Sequence, residues 1–555
     1  MRSIFAFMYR FFCRQPGQTI LALAATLLLT QGCAPSKPQA NDCPAGKVCI
    51  RAGNGVEVLS LDPQKVSGVG DHRVLLDSMV GLTMASARDE VVPGAAERWE
   101  TSADGLTWTF YLRPALWSDG VPVTADDFVF SLRRILKPET AAEYASLLYP
   151  LLGAQAVNEG KAAPETLGVR AVSPRVLEIR LEHPAPYLLQ LAKHQTMYPV
   201  PKHVVEKYGN AWSKPEHYVS NGPYTIVSWK LGDRIKAVKN PRYWDADKVC
   251  VDQISYYPTT DNITAERQVR RGELDMNADI QSNRIALLRD KMPGYVRTHT
   301  YLGVSYLTYN NNVVALRDVR VRRALSMAID REFVTNKLMR GGQQPAFSFV
   351  PPGVANYEPA KIPEWASWSF AKRQAEARRL LAEAGYGPGR PLKIEIKHRN
   401  SADPSLIMPA IQADWKEIGV EARLAQNEPQ IAYAAYRSRD FEVADAAWVA
   451  DYNDPMSFLY LMNSTTGAQN YGDYNSPAFD ALLKKADNEP DAKVRARYLA
   501  EAEQVMMNDA IVAPVFFYVN KNLVSPRVTG WVANLGDIHP TQYLCLKGAD
   551  KAPGV

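Results

Sequence analysis

Short strand-like runs alternate with amphipathic helical runs along almost the whole chain, from Asp42 to Leu546. Such alternation is typical of the mixed α/β class, in which helices cover a central sheet. No internal repeat and no long low-complexity tract interrupts it. At 555 residues the chain is too long for one hydrophobic core, so we expect two or three domains.

The first half of the chain gives a clear example of this alternation. Leu106–Arg113 alternates polar and apolar residues and predicts a strand. A turn follows, and Thr124 is placed to cap a helix. That helix is expected to bury Phe128, Leu132 and Ile135 on one face.

The second half supplies two helices and a strand. Asp318 is a candidate cap for a helix whose charged residues we expect on a solvated face, and a later helix should end at Gly385. Ala510–Asn520 predicts a strongly apolar strand with a polar end. The first helix should bury a stripe consisting of Val321, Ala324, Leu325 and Ala328, and the second one consisting of Ala377, Leu380, Leu381 and Ala384.

Charge and composition exclude one class of partner. Hydrophobic residues make up 46% of the chain and charged residues 22%, which is ordinary for a globular protein. The formal charge of +5 falls to +2 without the first 32 residues, which carry three Arg and no acid and leave 61 basic against 59 acidic residues. A nearly neutral chain has no basic surface suited to nucleic acid.

The amino terminus predicts export. Basic residues up to Arg14 precede the apolar run Thr19–Leu29 and the sequence TQGCAPS, an arrangement typical of a secretory signal in residues 1–32. The run is shorter than the roughly 20 residues of a membrane-spanning helix. Gly32-Cys33 is the kind of junction at which bacterial lipoproteins are cut and acylated, although Cys33 beside an ordinary cleavage site is the alternative. Residues 33–42 would then be a tether to the membrane.

The cysteine count predicts disulfides. Cys13 leaves with the leader and Cys33 would be acylated. The remaining four are an even number in an oxidising compartment. Three pairings are possible, of which we expect Cys43–Cys49 and Cys250–Cys545; reduced, buried cysteines are the alternative.

The chain carries none of the common catalytic or metal motifs. It contains no Gly-x-Ser-x-Gly, no His-Glu-x-x-His and no Gly-rich phosphate loop. No Cys-x-x-Cys occurs, and none of the eight His lies four residues from another. We therefore predict a protein that is not an enzyme and has no cofactor or metal.

The stretch Trp448–Leu459, WVADYNDPMSFL, carries the strongest functional signal. Val443–Val449 predicts a strand, and Asn453-Asp454-Pro455 a turn in which Asp454 is a turn former. Asp451 lies between them among aromatic residues, where an unpaired carboxylate costs several kcal/mol. It therefore needs a partner: local backbone N–H groups, or a cationic ligand. A third reading, in which the two Asp flank a sugar bond as catalytic acids, would make the protein a hydrolase.

Ordered motifs along the chain resemble one family. They are GLTWTFYLRPALWSDGVPVTADDFVFSLRRI, SNGPYTIVSW, NPRYWD, GELDM, DVRVRRALSMAIDRE and RRLLAEAGY. Each is weak alone, but in this order they resemble the extracytoplasmic solute-binding proteins of ABC importers, in the peptide/nickel cluster typified by the oligopeptide-binding lipoproteins. The resemblance covers nearly all of the mature chain.

The resemblance implies a three-lobed periplasmic-binding-protein fold. Two main lobes close on the ligand about a two-strand hinge near residues 300 and 518, a motion driven by contacts made only in the shut state. The implied boundaries are residues 43–79, 202–302 and 519–555 for domain I, 80–201 for domain II and 303–518 for domain III.

The resemblance also implies site residues. Asp451, in ADYN, matches the Asp that pairs with a peptide's α-ammonium, and Tyr144 matches a tyrosine that borders the ligand. Main chain at Ser67-Gly68-Val69 and at Ala447-Trp448-Val449 would add the extended peptide as a strand. Because main-chain bonding ignores side chains, sequence selectivity should be low. For Trp448, a purely structural role in the core is the alternative.

One departure from the family pattern bears on specificity. Asp445 stands where the oligopeptide-binding members usually carry Arg, which reverses the local charge. We therefore expect a ligand with extra positive charge, or a longer peptide whose tail ends elsewhere. Arg437 and Arg439 are nearby candidates to meet a ligand carboxylate, with a solvated position as the alternative for each.

The predicted role is capture of extended oligopeptides and delivery to a membrane permease. The partners implied by the family are the ABC permease and ATPase subunits, with a monomeric binding protein held to the membrane by its lipid anchor. Murein tripeptide, dipeptide, haem and chelated nickel remain alternative solutes, because the same cluster handles them.

Overall fold

The computed structural model describes residues 43–355, 357, 361–489 and 491–549. The leader in residues 1–32, including Cys13, and the tether from Cys33 to residue 42 lie outside the described residues, so the signal peptide and the lipidation stay predictions. Residues from Lys47 onward belong to one compact unit, and residues 43–46 belong to a separate one.

Strands are distributed over the whole described chain. They are β1 (Cys49–Gly53), β2 (Thr83–Ala85), β3 (Val91–Pro93), β4 (Ala96–Thr101), β5 (Thr107–Leu112), β6 (Val169–Ser173), β7 (Val176–Arg180), β8 (Tyr224–Lys230), β9 (Arg234–Lys239), β10 (Gln253–Tyr257), β11 (Met276–Asn277), β12 (Val296–Tyr309), β13 (Gln344–Pro345), β14 (Leu392–Arg399), β15 (Val420–Asn427), β16 (Val443–Val449), β17 (Val512–Val524), β18 (Val528–Thr529) and β19 (Cys545–Leu546).

Helices lie between these strands, and none of them is long and apolar enough to cross a membrane. They are α1 (Val69–Ser78), α2 (Ala125–Leu136), α3 (Ala154–Asn158), α4 (Leu188–Leu191), α5 (Lys202–Tyr208), α6 (Asn262–Arg270), α7 (Ile285–Lys291), α8 (Val319–Met327), α9 (Arg331–Phe333), α10 (Phe370–Glu383), α11 (Ala402–Glu417), α12 (Pro429–Arg437), α13 (Met456–Leu459), α14 (Pro477–Asp487) and α15 (Ala492–Asn508).

One large mixed sheet organises the molecule. Its strand order is β15-β14-β16-β12-β17-β11-β1-β10-β9-β8, and β13 pairs with β17 in addition. A separate four-stranded sheet has the order β4-β5-β7-β6. The predicted α/β class is therefore confirmed.

The two strands at the middle of the large sheet join its two halves. β12 has 14 residues and β17 has 13, and they pair antiparallel over most of their length. Their register shifts between Thr300 and Val304, next to Gly303. Thr300 still pairs with Val519, whereas Val304 pairs with Phe517. Because its hydrogen-bond ladder is interrupted there, this long strand pair gives the sheet a place where it can bend.

Apolar side chains fill the space between sheet and helices in three clusters. The first and largest cluster covers β1, β10, the four-stranded sheet and the turn after β16. The second cluster packs α8, α10 and α11 onto β12, β14 and β16. The third cluster lies around α6, α7 and the end of β17. The members that define the second cluster include Val321, Leu325, Leu381, Ile394, Ile396 and Trp415.

The predicted elements of the first half of the chain are confirmed. β5 spans Thr107–Leu112, one residue shorter at each end than predicted. Thr124 caps α2, because its side chain accepts from the N3 backbone while Asp127 accepts from the Thr124 N–H. Phe128, Leu132 and Ile135 are buried against the four-stranded sheet.

The later elements are confirmed, but both ends of the last predicted strand are shifted. Asp318 caps α8 by accepting from the Arg320 N–H, and α10 ends before Gly385, whose φ of +86° suits a helix stop. The apolar strand begins two residues later than predicted and continues to Val524. Pairing with β11 at Leu523 and Val524 extends it.

The prediction that the charges of the α8 region are solvated is wrong for Arg322 and Arg331. Both are buried. Backbone carbonyls replace water, because Arg322 donates to Leu316, Arg317 and Asp509 and Arg331 donates to Ser326, Ile329, Ala346 and Pro514. These acceptors come from several segments, so the helix pattern alone did not indicate them.

The four cysteines of the described residues are all oxidised. Cys250 and Cys545 form a disulfide with their Cα atoms 5.5 Å apart, and Cys43 and Cys49 are each oxidised as well. The first bond connects the carboxy-terminal segment to the residues just before β10.

Candidate functional site

The site is built at the end of β16. This strand covers Val443–Val449, as predicted, and the chain then turns before α13. The Asp451 N–H donates to Ser457 Oγ at 2.8 Å, and the Asn453 side chain accepts from the Ala355 N–H. These bonds fix the backbone on both sides of Asp451 and hold its carboxylate in place.

Asp451 is a buried carboxylate with a free oxygen. Its side chain is 10% exposed, and Oδ2 is buried without a hydrogen-bond partner. Burial raises the pKa of Asp451 to about 8, an effect that the Tyr144 hydroxyl offsets only in part. Local backbone N–H groups, the alternative partners expected from the sequence, therefore do not bond to this oxygen.

The basic group nearest Asp451 is uncharged. His194 Nε2 lies 3.7 Å from Asp451 Oδ1, but burial holds the pKa of His194 well below its usual range. His72 stacks on His194 with ring centroids 5.7 Å apart, and burial lowers the pKa of His72 to about 4. At neutral pH neither imidazole supplies the positive charge that Asp451 lacks.

Aromatic rings form the walls around this carboxylate. Trp448 lies 6.3 Å from Tyr144 and 6.0 Å from Tyr460, measured between ring centroids. Tyr144 also faces His194 at 5.7 Å, and the buried Tyr460 hydroxyl has no partner. Trp448 is held in place by its Nε1–H, which donates to the Ser457 carbonyl. Aromatic faces attract cations, so these walls and Asp451 favour the same kind of group.

The edge of β16 that leads to Asp451 is open. One edge pairs with β12 along the whole strand. The other edge pairs with β14 only at Val443 and Ala444, so among the described strands none covers that edge from Asp445 to Val449. An uncovered strand edge presents backbone donors and acceptors to an extended chain.

The first predicted strand-donating segment is only partly extended. Gly68 has φ −84° and ψ 144°, which is extended backbone, but Val69 already begins α1. Ser67 Oγ donates to Glu143 Oε2 at 2.7 Å, and Arg437 pairs with the same carboxylate at 3.5 Å. Ser67, Glu143 and Arg437 thus connect three distant parts of the chain.

Asp445 is paired with a residue that the sequence analysis did not single out. Arg399 makes a bidentate contact to it, with Nε and Nη2 both 2.8 Å from the carboxylate oxygens. Asp445 is 1% exposed, and the Arg399 Nη1–H also donates to the Tyr433 hydroxyl. The charge of Asp445 is therefore neutralised internally. Arg439, the other candidate, pairs with Asp473 at 2.8 Å.

Asp454 has a structural role. It accepts from the Met456 N–H, as expected of a turn former, and it also forms a buried bidentate ion pair with Arg495 at 2.8 and 2.9 Å. Because both oxygens are occupied, Asp454 and Asp451 are not a matched pair of acids.

Three contributors to the site were missed from the sequence: His194, Tyr460 and Arg399. None of them belongs to a quoted motif that carries a site role, and His194 lies more than 250 positions from Asp451 along the chain. Their only sequence signal is residue type, since buried His and Tyr are common in any core.

The site combines a desolvated carboxylate, aromatic walls and an open strand edge, with its residues drawn from distant segments. These features suit a binding protein for an extended solute that carries one positively charged group. Asp454, the second acid of this turn, is engaged by Arg495.

Comparison with known proteins identifies the family. The chain belongs to the bacterial extracellular solute-binding proteins, family 5, whose middle region matches residues 90–470. It is 38% identical over 522 residues to the periplasmic oligopeptide-binding protein OppA of Salmonella typhimurium, covering 92% of this chain and 95% of that one.

Two solved structures share the fold. The murein tripeptide-binding protein MppA of Escherichia coli matches with a TM-score of 0.86 and 34% identity, covering 90% of this chain and 99% of that chain. OppA of Haemophilus influenzae in complex with RPPGFSPFR matches with a TM-score of 0.86 and 33% identity, with the same coverage of both chains. The lobed fold expected from the sequence is confirmed.

Proposed function

We propose that this protein captures extended oligopeptides and delivers them to the membrane permease of an ABC importer. The observation that carries the proposal is the buried Asp451 carboxylate, whose Oδ2 lacks a partner, at the end of the open edge of β16. A peptide offers the two groups that this arrangement lacks: an α-ammonium and a backbone that can extend a sheet.

The ammonium of the peptide would ion-pair with Asp451. A charge-assisted hydrogen bond to a buried carboxylate is stronger than a neutral one, and the faces of Trp448 and Tyr144 add attraction for a cation. His194 Nδ1 accepts from the Thr196 N–H, so the neutral ring presents its Nε2–H to Asp451 and adds no charge that would repel the ammonium. The peptide thus supplies the counter-charge that the ligand-free site lacks.

The peptide backbone would add to β16. Ala447, Trp448 and Val449 lie on the edge that β14 leaves uncovered. On the opposite wall, Ser67 and Gly68 offer main-chain groups before α1 begins. Main-chain pairing is independent of side-chain identity, so we infer weak selectivity for peptide sequence.

The named relatives support a peptide ligand. OppA of Haemophilus influenzae was solved with the nine-residue peptide RPPGFSPFR, and OppA of Salmonella typhimurium is an oligopeptide-binding protein by name. MppA, which fits the structure with the same TM-score, binds murein tripeptide. Both ligand types are peptides, and murein tripeptide is therefore the second candidate.

We infer that the lobes follow the boundaries expected from the sequence. Domain I (43–79, 202–302, 519–555) would hold the β1, β8–β11 half of the large sheet. Domain III (303–518) would hold β14–β16, and domain II (80–201) the four-stranded sheet. β12 and β17 would be the hinge, because their ladder is interrupted between Thr300 and Val304. A lipid on Cys33 would keep this monomeric binding protein near its permease and ATPase partners.

Native mass spectrometry of the protein purified from its own host tests the ligand class. We expect bound masses that fragment as short peptides with free amino termini. A murein fragment would select the second candidate. Haem, a nickel chelate or an amine-free solute would contradict the proposal, as would a stripped protein that binds no member of a pooled tri- to pentapeptide mixture.

A further inference from the structure

A second polar cluster, made of residues that the peptide site does not use, lies at the carboxy-terminal segment between β18 and β19. Asp537 and His539 of this segment meet His299 of β12, and the candidate ligand atoms of the three residues lie within 4.8 Å of one another. The Trp531 ring packs against both imidazoles, with its centroid 5.7 Å from that of His299 and 4.3 Å from that of His539.

The imidazole of His299 presents a free lone pair. Its Nδ1 lies 3.2 Å from the Thr300 carbonyl, which can only accept, so Nδ1 carries the proton. Nε2 is then the acceptor nitrogen, and it is buried without a partner. A ring nitrogen fixed in this way by a backbone carbonyl is the usual state of a histidine that ligates a metal.

The other two donors are already adjacent. His539 Nε2 lies 2.9 Å from Asp537 Oδ1, a separation close to that of two ligands on one ion. Asn522 donates to the same oxygen at 2.7 Å and orients the carboxylate. Two imidazoles and one carboxylate suit late first-row divalent ions.

We propose that His299, Asp537 and His539 bind one divalent transition-metal ion such as Zn²⁺. Zn²⁺ would replace the proton of His539 Nε2 and take Asp537 Oδ1 and His299 Nε2 as further ligands, with water in the fourth position. Tetrahedral ligands lie about 3.4 Å apart, so the His299 ring must approach by about an ångström.

One neighbouring charge opposes the ion. Arg73 Nη2 lies 3.6 Å from Asp537 Oδ2. It engages the oxygen that the ion does not use, so the donor set stays complete while the affinity is reduced. The proposed site is therefore a moderate-affinity site that reinforces an existing contact between the carboxy-terminal segment and β12, where the Leu302 N–H already donates to the Leu535 carbonyl.

Isothermal titration with Zn²⁺ tests the site on EDTA-treated protein without a polyhistidine tag. We expect one ion per chain, and a loss of at least about tenfold in affinity for His299→Ala and for His539→Ala. The matched control is His203→Ala, which removes a histidine from an isolated His–Asp pair with Asp119 elsewhere and should leave the affinity unchanged.

Zinc-edge X-ray absorption on the wild-type complex gives a second readout that needs no variant. It should show two imidazole ligands. The proposal is overturned if the wild type binds no stoichiometric zinc, if both histidine variants bind like the wild type, or if the absorption spectrum lacks the imidazole pair.

Discussion

At the scale of single residues, Asp451 is a buried carboxylate with one unpartnered oxygen. Its pKa rises from 3.8 to about 8 on burial, which corresponds to roughly 6 kcal/mol against the ionised form. His194, the nearest basic side chain, is neutral, and Tyr144 offsets only part of the penalty. A bound ammonium removes the penalty, so binding energy and selectivity for a free amine have one origin.

The Arg399–Asp445 pair changes the expected charge preference. Because Arg399 neutralises Asp445, we predict that otherwise identical acidic and basic tripeptides bind within about tenfold of each other, or about 1.4 kcal/mol. Calorimetry measures this directly. A strong preference for basic peptides that Asp445→Asn abolishes would favour the original expectation from the sequence.

The sequence predicted the role of a residue where a recognisable motif contained it. Roles that depend on a tertiary partner were missed. ADYN indicated Asp451, and the turn residues indicated Asp454. Arg399 was missed because its partner lies on another strand, 46 positions away. His299 and His539 come together only in the folded chain, so no His spacing in the sequence could indicate their proximity.

At the scale of elements, β16 and the turn behind it form the platform of the site. The turn is held by the ion pair between Asp454 and Arg495 of α15, both nearly inaccessible to water. Arg495 also lies over the ring of Tyr187, 5.4 Å from its centroid. This ion pair connects the turn that carries Asp451 to the 17-residue helix α15.

We predict that Arg495→Met destabilises the protein by about 3–5 kcal/mol, because it leaves Asp454 buried and unpaired. Urea unfolding measures the change. Arg379→Met, which removes an exposed arginine on α10, is the matched control and should leave the unfolding midpoint unchanged. Equal midpoints for the two variants would show that the Asp454 pair does not hold the turn.

Local sequence signals predicted where strands and helices lie better than they predicted the tertiary contacts of those elements. Hydrophobic alternation placed β5 and β16, and caps placed the starts of α2 and α8, because these signals are local in sequence. The end of β17 was misplaced because pairing with β11 extends it. Buried Arg331 was misread because its acceptors lie on distant backbone.

At the scale of the whole molecule, the residues around the site come from all three proposed domains. Tyr187 stacks on Tyr452 at 4.9 Å, and Glu143 joins Ser67 to Arg437. These contacts connect the three proposed domains around Asp451. Opening about β12 and β17 would return Asp451 to water and lower its pKa towards 3.8.

We predict that closure of the ligand-free protein weakens as pH rises. The closed form holds a proton on Asp451 up to about pH 8, whereas in the open form the carboxyl would ionise near pH 4. Between these values closure takes up a proton, so raising pH favours opening. The other groups that face Asp451 oppose this effect only below about pH 6.5. Burial keeps His194 and His72 neutral in the closed form, and on opening they would take up protons only below their ordinary pKa near 6.5. Burial raises the pKa values of Tyr144 and Tyr460.

Small-angle X-ray scattering measures this effect. The radius of gyration of the protein without peptide should increase from pH 6.5 to pH 9, and saturating peptide should restore the compact value at pH 9. Asp451→Asn should show no pH dependence. A ligand-free radius that is the same at both pH values in the wild type would contradict the linkage between closure and Asp451.

The most direct measurement of the central claim is a calorimetric cycle that combines Asp451→Asn with acetylation of the peptide amino terminus. We predict that either change alone weakens binding by about 2–5 kcal/mol, because each leaves one buried group unpaired, and that the second adds little once the first is made. Equal affinity of the wild type for free and acetylated peptides would show that Asp451 does not bind the ammonium.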